Sequence, residues 1–254
     1  NSLEVDGATS LTISDTGAGA IDITELTAAS IAATTITVGD AGFETIDINY
    51  FNGDSIDIDD NHTLTNVDLN QGGSSFSYIA TAGAVTATNV DTADESLSID
   101  AQSGTLALVN LDTTSGNIIA QASGTITVTA DGGLTTTSGD VTITSSSGSV
   151  TTTAATNTVA DIATGGGTLT ISSATGISDS GTDGLDVDTD GGAVTLERTG
   201  NGLLNVDYSS SDADSVMLTV TVNGGSSQGN VEFDSEATGT LTVNAITVAN
   251  DGTL

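Results

Sequence analysis

An acidic run late in this chain has the spacing of a cation loop. Asp186-Val-Asp188-Thr-Asp190-Gly191, followed by Glu197, fits the D-x-D-x-D-G-x5-E pattern of a calcium-binding EF-hand loop. Hard cations need several carboxylate and carbonyl oxygens converging on one point, and this spacing supplies them when helices flank the loop. Here the flanking residues read as strands. Leu185 and Val187 are then expected to point inward, and Asp186 and Asp188 to line the outer face. Asp57, Asp59 and Asp60 form a second acidic cluster. Calcium is therefore the one cofactor to test, with Asp186, Asp188, Asp190 and Glu197 as its candidate ligands. The plainer reading of the charge is a solvated face.

Other chemistry is poorly supplied. Paired carboxylates within Asp183 to Asp190 could cleave a polysaccharide, but one arginine (Arg198) is the only cation to meet an acidic substrate. His62 stands alone, no triad forms around it, and it reads as an exposed loop residue. Asn61-His-Thr63 is a glycosylation acceptor sequence. Thr-x-Thr recurs from Thr125, Thr142, Thr168 and Thr219. Threonine arrays on flat sheets can order water, but the irregular spacing favours simple ladders. Two aromatic pairs, Tyr50 with Phe51 and Phe76 with Tyr78, are candidate ligand platforms. No catalytic residue is assigned, and an enzyme is not expected.

Composition narrows the partners. The 254 residues hold no lysine, proline, cysteine or tryptophan, and 34 acidic residues give a formal net charge of −33. With no basic patch to neutralise phosphates, nucleic acid and anionic membrane surfaces are repelled. Schiff-base and cysteine chemistry, disulfides and lysine cross-links are absent. No apolar run approaches a membrane span, so no membrane insertion is expected. The first residue is Asn rather than Met, so the chain is expected to be a processed product or a piece of a longer polypeptide. Few oxidisable or protease-sensitive side chains and an acidic surface fit an extracellular place.

The elements that must position these residues are short strands. Apolar–polar–apolar triplets run from end to end: Ile21-Asp-Ile23, Ile46-Asp-Ile48, Leu97-Ser-Ile99, Ile126-Thr-Val128, Val141-Thr-Ile143, Leu169-Thr-Ile171, Val194-Thr-Leu196 and Ile246-Thr-Val248 among them. This period of two marks a strand with one buried face. The strands start roughly every 8–10 residues. Glycine stands just before many of them, as at Gly104, Gly124, Gly139, Gly148 and Gly167. A corner that needs φ > 0 or close backbone approach uses glycine for both. Aromatics make up only 3%, so the Ile, Val, Leu and Ala available suit an interior one side chain deep.

Self-similar units at a steady period predict a solenoid. The expected fold is all-β: a right-handed parallel β-solenoid (β-helix) of roughly a dozen coils of about 20 residues. At ~4.8 Å per coil the rod is ~55–60 Å long. Proline is excluded because nearly every backbone N–H pairs with a neighbouring coil. Residues 1–254 read as one domain, less regular over 1–100, with polar insertions near 208–215 and 224–230.

Gly139-Asp-Val-Thr-Ile-Thr-Ser-Ser-Ser-Gly148-Ser-Val-Thr151 and Gly124-Thr-Ile-Thr-Val-Thr-Ala-Asp-Gly-Gly-Leu134 resemble the coils of filamentous-haemagglutinin-type β-solenoids. They are similar also to the repetitive S-layer-like surface proteins of bacteria, over residues of about 100–206. The resemblance implies a secreted structural or adhesive role. An open solenoid exposes strand edges at its ends, and no capping helix is recognised at either terminus. Either the coils continue in a longer chain, or copies pair head to tail into a filament. The expected function is thus an extracellular structural protein, a self-assembling subunit or segment of a surface filament, fibre or S-layer-like coat. An adhesin stalk or binding module contacting a polysaccharide or cell surface is the alternative. A calcium-dependent polysaccharide-active β-helix enzyme is the second.

Overall fold

The structure is a computed structural model. It describes the backbone of residues 75–80, 83–92, 96–153, 160–179 and 185–200, and of strands elsewhere in the chain; side chains are described within 76–200 and at 219–220. The fold is an all-β solenoid of parallel strands in stacked coils, with about five turns across the fully described part. One sheet has eleven strands and the other twelve, and neighbours in each come from successive coils.

The sequence pattern dictates one coil as follows. Strand Leu97–Ala101 alternates buried and half-buried residues and forms the first face. A corner at 102–105 leads to strand Leu106–Thr113, whose pattern breaks at Asn110. Asn110 and its equivalent Asn89 have φ of 57° and 55°. Asparagine tolerates this left-handed conformation better than other residues with a Cβ. The strand therefore turns within itself, giving a second face at 106–109 and a third at 111–113. A second corner at 114–117 returns the chain to the first face at Ile118–Ala122.

Register stacks these coils. Phe76, Leu97, Ile118, Val141, Leu169 and Val194 pair in succession, so coil lengths run 21, 21, 23, 28 and 25 residues. The expected coil of about 20 residues is thus the narrow form. The extra length enters at one place, the third corner. Asn110 is the single residue between the pairs Val109↔Thr129 and Leu111↔Leu134, and in the next coil residues 130–133 fill that space. One coil further, 154–161 separate Thr153 from Ile162. Strand Ile126–Thr136 is accordingly followed by two strands, Ser149–Thr153 and Ile162–Ala163, where earlier coils had one.

The core is a set of straight columns. Ile99, Ala120, Ile143, Ile171 and Leu196 form one, and Val85, Leu106, Ile126, Val150 and Ile177 another, all at most 1% exposed. Each residue meets its counterparts above and below, so narrow aliphatic side chains fill the interior without deep packing.

Two of the three corners are closed by buried hydroxyls. The Thr136 Oγ1 hydroxyl donates to the Gly116 carbonyl (3.0 Å) and accepts from the Gly139 N–H (2.8 Å). Thr113, Thr164 and Thr189 each donate to the glycine carbonyl three residues on, at 2.6, 2.7 and 2.9 Å. At the other corner Ser145 donates to Gly124 (2.7 Å) and accepts from Gly148 (3.0 Å). Ser173 lies 2.7 Å from the Gly176 carbonyl. Threonine thus takes two places: Thr142 and Thr170 alternate outward with apolar residues, while Thr92, Thr113, Thr136, Thr164 and Thr189 make a buried column. A polar atom is tolerated inside because the hydroxyls of Thr113, Thr136, Thr164 and Thr189 satisfy corner backbone that the turn leaves unpaired.

At Gly139 of the Thr136 unit, and at Gly104 in the corner that follows Ala101, glycine answers close approach rather than φ > 0. A Cβ on Gly104 would strike the Gly83 carbonyl, and one on Gly139 the Gly116 carbonyl. Backbone pairing continues through the corner, with Gln102 N–H donating to Ala80 (2.8 Å) and Ser123 N–H to Ala101 (3.1 Å).

Thr136→Val keeps the shape and removes the hydroxyl, stranding a buried N–H. It is expected to lower stability by about 1–3 kcal/mol. Thr135→Val, on the outward side of the same strand, is expected to stay within about 0.5 kcal/mol. Urea unfolding midpoints of the two variants check this.

Candidate functional site

The expected calcium loop does not fold as one loop. Strand Leu185–Asp188 ends at a corner where Asp190 and Gly191 have φ of 48° and 88°. The Asp190 N–H donates to Asp188 Oδ1 at 3.2 Å. Glu197 lies past that corner on the first face, in strand Ala193–Arg198, paired with Ser172 and Thr221. Asp186 is buried at 4% exposure, not on the outer face as expected. Leu185, Asp186 and Val187 are three buried residues in a row, which requires chain over both faces of this strand. Its neighbour one coil away is Asp161, 1% exposed. The Asp186 N–H donates to Asp161 Oδ2 (3.2 Å), and the Asp161 N–H donates to the Asp186 carbonyl (2.9 Å). Among the described residues no three His, Cys, Asp or Glu side chains gather where a metal ion would be held.

The other candidates fall in varied places. Phe76 and Tyr78 are 1% and 2% exposed, their rings parallel within 3° and 6.5 Å apart. They are core residues of strand Ser75–Ala80, which corrects their reading as a ligand platform. Tyr50 occupies the register position of buried Ala80. His62 belongs to strand His62–Asp68, paired with Val85, and not to a loop. Arg198, the chain's one arginine, is 1% exposed, in line with Ser145 and Ser173. Asp57, Asp59, Asp60, Asn61 and Asp183 lie outside the described residues. So do 211–215 and 224–230 of the expected insertions, while 208–210 end strand Leu203–Ser210.

The register assembles an acidic column that counting acids along the chain missed. Asp68, Asp91 and Asp112 pair in succession on the third face. Asn66, Asn89 and Asn110 occupy the corner two residues before each, and Asn110 Nδ2 donates to Asn89 Oδ1 at 2.9 Å. The available signal was Asn-Val-Asp at 66–68 and 89–91, then Asn-Leu-Asp at 110–112. Parallel pairing stacks identical side chains at about 4.8 Å, so carboxylates repel where asparagines bond. The Asp112 carboxyl is raised above its ordinary value of 3.8 by partial burial first and by Asp91 second, against a lowering hydrogen bond from Thr113. Asp100, on the first face, is raised by burial and lowered in part by Gln102.

Comparison with protein-family models, curated proteins and solved structures finds no match to this chain. The site is therefore read on its geometry alone: one strongly acidic edge, acids scattered over the first face, and no gathered catalytic group among the described residues.

A carboxyl whose folded pKa is raised favours folding while protonated, and loses that contribution as pH rises through the folded value. Asp112→Asn is thus expected to be more stable than the parent at pH 7. The gain should fade as pH falls toward 3.8, the ordinary value. Urea midpoints measured across that range check the direction.

Proposed function

We propose that this protein is an extracellular structural element that extends by end-to-end stacking of coils, as a subunit or segment of a surface filament, fibre or S-layer-like coat. The carrying observation is the unbroken parallel ladder of the first sheet. It runs from Ser2–Val5 at one edge to Leu241–Ala249 at the other, with every neighbour in parallel register. A further coil, from the same polypeptide or from a second copy, meets either edge with the same hydrogen-bond pattern.

The wider reading follows from that. The rod is taken as right-handed, the hand favoured by parallel crossovers, with about a dozen coils. Likeness to filamentous-haemagglutinin-type and S-layer-like repeats belongs to the same proposal. The acidic sheath, −33 overall, keeps rods hydrated and spaced. Calcium acts in this reading as a counter-ion shared along the sheath. The partner is a second copy, head to tail.

Electron microscopy of the purified chain, with and without a calcium chelator, tests this. Long thin fibres are expected, and deletion of 241–254 is expected to leave separate rods. Fibres unchanged by that deletion, or discrete rods from the full chain, would contradict end-to-end assembly. Fibres indifferent to chelation would remove calcium from the account.

A further inference from the structure

The second face differs from the other two. Its outward positions at successive coils are Thr86 and Thr88, Ala107 and Val109, Thr127 and Thr129, then Thr151 and Thr153, all half-exposed. The strand His62–Asp68 brings Thr63 and Thr65 to the same two columns. None of these positions is charged, although the chain carries 34 acids. Asp91 and Asp112 stand on the third face, and Asp100 and Glu197 on the first.

Along the sequence these Thr-x-Thr pairs are unevenly spaced. Between coils they are in register, because the surplus residues leave at the corner beside Asn110 and its successors. Register thus gives two columns, interrupted at Ala107 and Val109, with a repeat of about 4.8 Å along the rod and roughly 6.6–6.8 Å across it. Each threonine presents one hydroxyl and one methyl. The hydroxyl column continues past Thr151, whose Oγ1 lies 3.4 Å from Ser178 Oγ. At the margin Thr153 Oγ1 turns to the Val128 carbonyl at 3.4 Å.

We propose that this face binds ice. The two repeats lie close to oxygen–oxygen repeats in the lattice of hexagonal ice. Hydroxyls replace lattice oxygens and donate or accept as water does. Methyls limit how freely the intervening water can reorient. A carboxylate would organise its own hydration shell and break the match, so the uncharged run from Thr86 to Thr153 is the matching area, and it ends before the strand that carries Asn205 and Asp207. The occupant is a water lattice, which needs neither a pocket nor an aromatic platform.

The test uses the full chain. Partition into slowly growing ice and thermal hysteresis are measured for the parent, for Thr129→Tyr and Thr129→Lys on this face, and for Thr170→Tyr on the first face. Far-UV circular dichroism verifies the coil in each. The parent and Thr170→Tyr are expected to enter ice and to show hysteresis. Both second-face variants are expected to lose both properties with unchanged spectra; if the tyrosine variant fails to fold, the lysine variant decides. Exclusion of the folded parent from ice overturns the proposal, as does equal loss in Thr170→Tyr. Self-association on sedimentation that Thr129→Tyr abolishes, in a parent that ignores ice, assigns the face to a second copy and overturns it too.

Discussion

Parallel pairing between coils is the constraint on which everything else here depends. Each strand must find, one turn away, a partner of matching length and register, above and below. A backbone without an N–H cannot serve that pattern, and the chain contains no proline. Once register is fixed, like positions stack, so the structure becomes a set of columns. Apolar columns fill the core, hydroxyl columns close two corners, an asparagine column turns the third, and the carboxylates Asp91 and Asp112 stack outside it at a repulsive cost, while Asp161 and Asp186 are buried.

The corners show how the ladder survives bending. Glycine carbonyls of one coil press so close to the next that no Cβ fits, as at Gly139 and Gly148. The buried Thr or Ser three residues earlier then holds the turn by bonding its backbone. This division lets a narrow aliphatic core suffice, because corner backbone is satisfied by the chain's own hydroxyls. It also isolates variation. Where asparagine gives way to 130–133, and then to 154–161, coils lengthen without disturbing the first face. Arg198 is buried in the column that earlier holds Ser145 and Ser173, so the only arginine of an acidic chain stands in the core rather than on the sheath.

Much of the fold was legible in the sequence. Triplets such as Val141-Thr-Ile143 and Leu169-Thr-Ile171 are strands, and the glycines before them mark corners. What escaped was anything set by register between coils. Leu111-Asp-Thr113 continues the inward alternation with a hydroxyl, which a count of apolar residues alone passes over. Phe76-Ser-Tyr78 has the same alternation, and both rings belong to the core rather than to a platform. Asp186 seemed outward by parity, but Leu185, Asp186 and Val187 are all buried, so alternation does not govern this strand. The spacing of an EF-hand loop is a one-dimensional match, and a corner at Asp190 separates Asp188 from Glu197. The Thr-x-Thr pairs that stand out in the sequence, from Thr142, Thr168 and Thr219, run in the first sheet, whereas the second-face pairs 86/88, 127/129 and 151/153 line up only through register between coils.

The register itself is the central claim, and the absence of cysteine makes it directly measurable. Thr142 and Thr170 pair across adjacent coils on the first face, 28 residues apart, whereas Thr127 lies on the second face. Paired cysteines at Thr142 and Thr170, carrying spin labels, are expected to give one short and narrow distance. Labels at Thr127 and Thr170 are expected to give a distinctly longer one. A broad distribution for the first pair, or indistinguishable distances for the two, would contradict parallel stacking in this register.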